Sequence, residues 1–281
     1  MGIEAKKPSI PSGPKDLKEA ALTLRRWIVE QSFRSGVGHI GSALSVADIM
    51  TVLWGSVMKE PGTSNPARDR FVMAKGHAAL TLFAALRWRG LLTEKDFNQF
   101  CRDGSPIGAH PEHAVRGVDV STGSLGQGLS VACGMAFGLR LKKNPARVFV
   151  LMSDAECNEG QVWEAAQFAA HHGLSNLVGV VDLNGLQALG PTKGILDLGS
   201  LVEKWRAFGW DAVDADGHNI PALLKVFGSS RAAAGSKPRM VIARTVMGSG
   251  VSFMEGKVEW HYRNLDAKLA AQAMKDLGAG K

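Results

Sequence analysis

Cysteine is scarce: Cys101, Cys133 and Cys157 are the three in 281 residues, widely spaced and without a C-x-x-C pair. That spacing excludes a disulfide framework and a cysteine zinc site, and it suits a reducing compartment. Long apolar runs are also missing, and none approaches the roughly 20 residues needed to span a bilayer. The opening Met1-Gly2-Ile3-Glu4-Ala5-Lys6-Lys7 lacks the apolar core of a signal peptide, so no membrane association and a cytoplasmic location are expected. No Pro/Ser linker, charge block or internal repeat divides residues 15–278. The expectation is a flexible arm over 1–14, where Pro8, Pro11 and Pro14 prevent a regular element, followed by one domain over 15–281.

What is present is an ordinary globular composition, 45% apolar and 21% charged, sufficient to bury a full core. The formal net charge is +7, but the basic residues are dispersed as pairs such as Arg25-Arg26 and Lys142-Lys143, with no interleaved aromatic stripe. Nucleic-acid binding is therefore not expected. A basic surplus suits phosphorylated substrates or an acidic partner chain.

Apolar spacing of the helical kind predicts an amphipathic helix over Asp16–Arg34, stopped at Ser35-Gly36. A second is expected over Ser45–Met58, capped by Ser45 with Asp48 three residues on. Short apolar runs at Arg70–Met73, Arg147–Met152, Leu177–Asp182, Asp211–Val213 and Met240–Ala243 read as strands. Helical stretches lie between them at His77–Arg89, Glu94–Cys101, Gln127–Lys142, Gly160–His172, Leu198–Phe208 and Asn219–Ser229. Such alternation implies an α/β fold, a mostly parallel sheet with helices on both faces. The glycine-rich stretch from Arg102 to Gly128 is long for a connection, and long ordered loops are commonly functional.

The run Arg147-Val-Phe-Val-Leu-Met-Ser153-Asp154-Ala155-Glu156 reads as a buried strand ending in an acidic turn. In an open α/β sheet, ligands bind beyond the carboxyl ends of the strands, which is where Asp154 falls. The next strand ends in Leu183-Asn184-Gly185-Leu186, so one crossover would bring Asp154 and Asn184 side by side. The Asp154 carboxylate, the Asn184 amide oxygen and the Leu186 carbonyl could give Mg²⁺ three of its six oxygens, with two diphosphate oxygens and a water completing the octahedron. The bland alternative is a helix-capping Asp154 and a turn-forming Asn184, and the pair alone does not decide between them. Four of the eight histidines, His39, His77, His110 and His261, lie in or beside glycine-bearing loops, where neutral imidazoles can move protons or hold hydroxyls. His113, His171, His172 and His218 are read as structural or surface residues, and Cys157 as incidental because no base is matched to it.

These blocks resemble a known pattern. Asp154 followed by Asn184 is similar to the thiamine-diphosphate fingerprint, Gly-Asp-Gly with Asn some 30 residues on. With Gly38-His39-Ile40-Gly41, Lys75-Gly76-His77-Ala78, Ala109-His110-Pro111-Glu112, Thr122-Gly123-Ser124-Leu125-Gly126-Gln127-Gly128, Gly250–Glu255 and Glu259-Trp260-His261, the chain resembles the N-terminal half of transketolase from about Leu17 to Tyr262. The resemblance implies the diphosphate-binding domain of the thiamine-diphosphate fold, with thiamine diphosphate and Mg²⁺, or Ca²⁺ or Mn²⁺ in its place, as cofactors. It places His77, Gly123, Ser124, Leu125, Asp154, Ala155, Glu156, Asn184 and His261 against the cofactor, and Asp154, Asn184 and Leu186 on the metal. His39, His77, His110 and His261 would line the catalytic channel, and Glu159 would lie at a subunit contact between two cofactor sites.

Two departures from the pattern bear on this. Ser153-Asp154-Ala155 replaces Gly-Asp-Gly, keeping the metal ligand and the Ala155 N–H while excluding conformations that glycine adopts cheaply. The chain also ends near Lys281, where a single-chain transketolase continues into its pyrimidine-binding half. The resemblance therefore implies one subunit of a split transketolase that needs a separate C-terminal subunit, as two copies of each, to pass a two-carbon ketol unit between sugar phosphates. The alternatives are a subunit of another thiamine-diphosphate enzyme, such as a 1-deoxyxylulose-phosphate synthase or a specialised ketol transferase of secondary metabolism, and a non-catalytic assembly subunit. A 2-oxoacid dehydrogenase α-subunit would share the metal motif but lack the histidine blocks.

Overall fold

The buried runs expected as strands do form one parallel sheet in the computed structural model, which describes residues 13–232 and 237–279. The strands are β1 (Arg70–Met73), β2 (Val148–Ser153), β3 (Leu177–Leu183), β6 (Asp211–Asp216) and β7 (Arg239–Arg244), in the order β1-β2-β3-β7-β6. All four pairings are parallel, and Ser153 at the end of β2 is in register with Asp182 of β3. A two-residue hairpin, β4 (Leu186–Gln187) with β5 (Gly190–Pro191), follows β3 directly.

Alternate side chains of each strand enter opposite cores. Phe149, Leu151, Val178, Val180 and Val241 pack under a layer formed by α1 (Pro14–Ser35), α2 (Ile40–Ser45), α3 (Ala47–Val52), α4 (Ala79–Trp88), α10 (Ile220–Ala232) and α11 (Ala267–Asp276). Val148, Val150, Met152, Val181 and Ile242 pack under α6 (Gln127–Leu141), α7 (Gly160–His171) and α9 (Leu201–Ala207). Burial on both faces explains why β2 is apolar along nearly its whole length rather than alternating. Each large side chain so enclosed contributes about 1.5–3 kcal/mol. Among the described residues no helix is long and apolar enough to cross a membrane.

Several expectations are corrected. The helix expected over Ser45–Met58 is broken: α2 ends at Ser45, Val46 leaves helical geometry, and α3 runs into a π-turn at Leu53–Val57. Ser45 caps nothing. Its hydroxyl lies 2.8 Å from the Asp182 carboxylate, and Asp48 is engaged by α1 and a distant loop instead. The helix expected to reach Cys101 stops at Phe97, as α5 (Glu94–Phe97) with a Thr93 capping box. The one expected from Leu198 starts at Leu201 behind a Ser200 cap. Helix α1 starts at Pro14, whose missing N–H costs nothing at a first helical position, so the arm expected over 1–14 loses its last residue and 1–12 lie outside the described residues. The short α8 (Thr192–Ile195) and α11 were not anticipated.

One polar cluster ties the ends of the chain together. Arg25 on α1 donates twice to Asp48 on α3, at 3.1 and 2.6 Å, and once to the Ser249 carbonyl at 3.0 Å. The Val246 N–H donates to His218 Nε2 at 2.9 Å, which leaves the ring hydrogen on Nδ1, 2.9 Å from Asp48. Burial would raise the Asp48 pKa, but hydrogen bonds from His218 and Arg25 outweigh it and bring it down to about 2.

Candidate functional site

Beyond the carboxyl ends of β2 and β3 opens a cleft of about 450 Å³. Its wall is built by three separated turns that meet there. Gly38-His39-Ile40-Gly41 is pressed against the 3₁₀ turn Val258–His261: a Cβ on Gly38 would lie 2.5 Å from the Tyr262 carbonyl oxygen, and one on Gly41 2.9 Å from that of Trp260. His39 is thereby held at φ 65°, a costly region for a side chain with a Cβ, while its N–H donates to the His261 carbonyl at 3.0 Å. The turn Gly76–Ala78 brings in His77.

The result is a triangle of imidazoles. Ring centroids of His39, His77 and His261 are 5.3–5.4 Å apart. Burial lowers the pKa of all three, assisted by the Lys75 ammonium, by His110 at His39 and His77, and by His39 at His77 and His261, with His77 well below the ordinary value and His261 at about 4. All three are neutral at pH 7. They can accept and donate hydrogen bonds to hydroxyls, and they offer no fixed charge to a phosphate. His110 lies across the cleft, and Tyr262 stands exposed at its mouth, 5.0 Å from the rings of His39 and His261. Buried side-chain atoms without a partner include His39 Nδ1, His261 Nδ1, Asn158 Oδ1 and Gln187 Nε2, all on cleft residues.

At the cleft floor, Asp154 is fully buried. Its Oδ1 accepts from Ala155 N–H at 2.8 Å, and its Oδ2 from Gly185 N–H at 2.8 Å and from the Thr192 hydroxyl at 3.2 Å. Every partner is a neutral donor. Burial, then the neighbouring Asp182, push its pKa up to about 6. Asn184 donates to Asp182 at 2.9 Å and accepts the Leu186 N–H at 2.9 Å. Asp154, Asn184 and Leu186 thus gather at two adjacent strand ends. Among the described residues no three His, Cys, Asp or Glu side chains form a metal cluster. A buried carboxylate lacking a cationic partner, beside an amide and a main-chain carbonyl, fits a hard divalent cation that shares phosphate oxygens.

The glycine-rich run divides between two duties. Gly126, at φ 87°, and Gly128 serve packing: a Cβ would lie 2.7 Å from Glu159 Cβ at the first and 2.3 Å from Ala74 Cβ at the second. Gly123 and Leu125 line the cleft, whereas Ser124 is exposed outside its lining. Glu159 is an exposed cleft residue. Glu156 does not reach the cleft; it is buried, accepting Gly126 N–H at 2.8 Å and Ser153 N–H at 3.3 Å, and burial pushes its pKa up to about 7.

Ser153 answers the Glu156 bond, its hydroxyl accepting Glu156 N–H at 3.2 Å. The two bonds are reciprocal like those of a capping box, although the residue that caps the turn Ala155–Asn158 is Asp154, and the Ser-x-x-Glu signature stands in the sequence, unused by the reading above. Lys75, Ser45, Asp182, Thr192 and Thr245 were also missed as neighbours of the site; their partners lie up to 137 residues away. Cys157 is fully buried, and burial raises its thiol well above the ordinary value, which disfavours the thiolate.

A parallel sheet with a buried acid and a polar cleft at its carboxyl ends defines a ligand-binding α/β domain. Comparison with known proteins narrows this. The family profile "Transketolase, thiamine diphosphate binding domain" matches residues 17–281. A 6-deoxy-6-sulfo-D-fructose transketolase subunit of Clostridium sp. (strain MSTE9) is 36% identical over 267 residues, 93% of this chain and 96% of that protein. An apulose-4-phosphate transketolase subunit of Phocaeicola vulgatus is 35% identical over 255 residues, 90% of each. Among solved structures, transketolase from Campylobacter jejuni superposes with a TM-score of 0.87 at 27% identity, over 95% of this chain and 43% of that one. The chain therefore belongs to the transketolase family of transferases, and its sheet is that family's thiamine-diphosphate-binding fold. It spans less than half the length of the solved transketolase it matches.

Proposed function

We propose that this chain is the cofactor-holding subunit of a split transketolase. In this reading Asp154, Asn184 and the Leu186 carbonyl hold Mg²⁺, with Ca²⁺ or Mn²⁺ able to replace it, and Ala155, which lines the cleft, lies against the diphosphate. His77, His261, Gly123 and Leu125 contact thiamine diphosphate, while Ser124 and Glu156 act through the loop they shape. When bound, the cofactor supplies a carbanion centre that can carry a two-carbon ketol unit. His39 and His110 hold donor hydroxyls, and the neutral imidazoles of His77 and His261 take and return protons near the reacting carbons. Glu159, exposed on the cleft wall, meets the second subunit.

The observation that carries this reading is the meeting of a buried, cation-free Asp154 with Asn184 beneath three neutral imidazoles. A separate C-terminal, pyrimidine-binding partner is supported by relatives that are themselves called subunits and are covered over 90–96% of their length. The assembly holds two copies of each chain and works in the cytoplasm. Ketose and aldose phosphates are the substrates. A second reading, a specialised sugar in place of a common ketose phosphate, is favoured by relatives named for 6-deoxy-6-sulfo-D-fructose and apulose-4-phosphate.

The test is reconstitution with the C-terminal subunit encoded beside it. Calorimetry with Mg²⁺ and thiamine diphosphate should show saturable binding, and ketol transfer should need both subunits. Equal transfer by this chain alone refutes the split, and absence of diphosphate binding in the complex refutes the cofactor site. Profiling of donors separates the two substrate readings.

A further inference from the structure

Beneath the cleft floor lies a charged pair to which none of these roles gives a duty. Asp182 and Lys75 are both fully buried. The Lys75 ammonium donates to Asp182 Oδ2, with the Ser42 carbonyl at 3.3 Å and the Ser45 hydroxyl at 3.5 Å as further acceptors, one for each of its three hydrogens. The Asp182 carboxylate accepts in addition from the Ser45 hydroxyl at 2.8 Å, from the Thr245 hydroxyl, and from Asn184 Nδ2 at 2.9 Å. Two of these partners, the Lys75 ammonium and the Asn184 NH₂, can only donate, and both converge on Asp182 Oδ2.

An asparagine amide has two unlike ends of nearly equal size, and its orientation is set by what each end meets. Asp182 Oδ2 accepts the Asn184 NH₂, which turns Oδ1 the other way. There Oδ1 accepts the Leu186 N–H, leaving its second lone pair available. Lys75 has a further effect. Two acids stand at neighbouring strand ends, with Asp154 N–H donating to the Asp182 carbonyl at 3.2 Å, and the ammonium pairs with Asp182 alone. Among the described residues Asp154 has no ion pair of its own, and it feels Lys75 only at longer range.

We infer that Asp182, paired with Lys75, is a positioning residue that aims the Asn184 amide oxygen at the cation, and that Lys75 decides which of the two acids the cation meets. The inference rests on the cation site proposed above. It concerns aiming alone: neither residue touches substrate or cofactor.

The test uses Mn²⁺ as the probe, titrated by electron paramagnetic resonance into the reconstituted complex with thiamine diphosphate. Lys75→Met with Asp182→Asn removes both charges at nearly constant volume, and frees the Asn184 amide to turn. Mn²⁺ affinity is expected to fall about 10- to 100-fold, the usual consequence of losing a group that orients a ligand. Adding Asn184→Asp to that background should recover most of the loss, since a carboxylate presents oxygen at either end. In the otherwise native chain the same change should weaken binding, because it sets a second negative charge on Asp182. This reversal of sign is an outcome that a merely structural role would not produce.

Unchanged Mn²⁺ affinity in the double variant, with affinity lost in Asp154→Ala, overturns the positioning role and leaves the cation site standing. Unchanged affinity in Asp154→Ala overturns both. The native chain gives a reading that needs no altered core. The Asn184 side-chain amide hydrogens, identified by nuclear magnetic resonance through their loss in Asn184→Asp, should exchange slowly with solvent. Exchange as fast as that of an exposed asparagine overturns the inference.

Discussion

Replacing Asp48 by asparagine tests whether the cluster joining α1, α3 and the loop after β7 carries stability as its geometry implies. The native Asp48 pKa of about 2 lies below an ordinary carboxylate value of 3.8. A shift of that size corresponds to about 2 kcal/mol of preference for the charged form in the folded state. The Asp48→Asn change would also leave the Arg25 guanidinium, 7% exposed, without its anion, and breaking a buried pair costs about 3–5 kcal/mol. The second figure is larger because it includes the stranded Arg25; an expected loss at pH 7 of about 2–5 kcal/mol spans both. The sign follows from a depressed folded pKa: the contribution is complete above the unfolded value and disappears as pH falls through the folded one. Urea unfolding followed by tryptophan fluorescence at pH 7, 5, 3 and 2 should therefore show a gap between native and Asp48→Asn chains that is constant from 7 to 5. It should narrow steadily below 4. A gap independent of pH would refute the assignment of stability to the ionised Asp48.

Three further outcomes are expected. Gly128→Ala places a methyl 2.3 Å from Ala74 Cβ and should destabilise by about 1–3 kcal/mol, whereas Gly134→Ala, with nothing within 4 Å, should gain about 0.5–1 kcal/mol; thermal melts of both variants check the contrast. Ser153→Ala removes the hydroxyl that accepts Glu156 N–H and should cost about 1 kcal/mol in chemical unfolding, with Ser153→Thr restoring most of it. Burial raises all three thiols, so a thiol reagent at pH 7 should label half-buried Cys101 slowly, and Cys133 and Cys157 only after denaturant is added.

The sheet was legible because its strands are buried on both faces. Val148–Ser153 and Leu177–Leu183 carry apolar runs too short for a helix and bounded by polar turns. The Asp154 and Asn184 placement followed from the same reading, since two consecutive parallel strands joined by one crossover end side by side. What misled was Ser45. Its neighbours suggest a cap, but its hydroxyl is spent on Asp182, a partner no local pattern points to. The expected long helix is instead two short ones that part at Val46, followed by the π-turn Leu53–Val57 that contains Trp54. Helix α11 carried its own signal, an Asp266 cap ahead of Leu269, Ala270 and Ala273, and was legible in principle. The Lys75–Asp182 pair could not be read at all, because both residues look like surface charges until the fold buries them.

The clasp between Gly38–Gly41 and Val258–Tyr262 has a consequence for the order in which the protein can be made. His39 leaves the ribosome more than two hundred residues before the His261 carbonyl that receives its N–H. Through most of synthesis the first cleft wall therefore has nothing to lean on, and β7, which lies between β3 and β6, has not yet been made. Contacts so distant in sequence close late and slowly. A nascent chain that already holds Asp154 and Asn184 but not His261 therefore has the strand ends of the cleft without the wall that closes it.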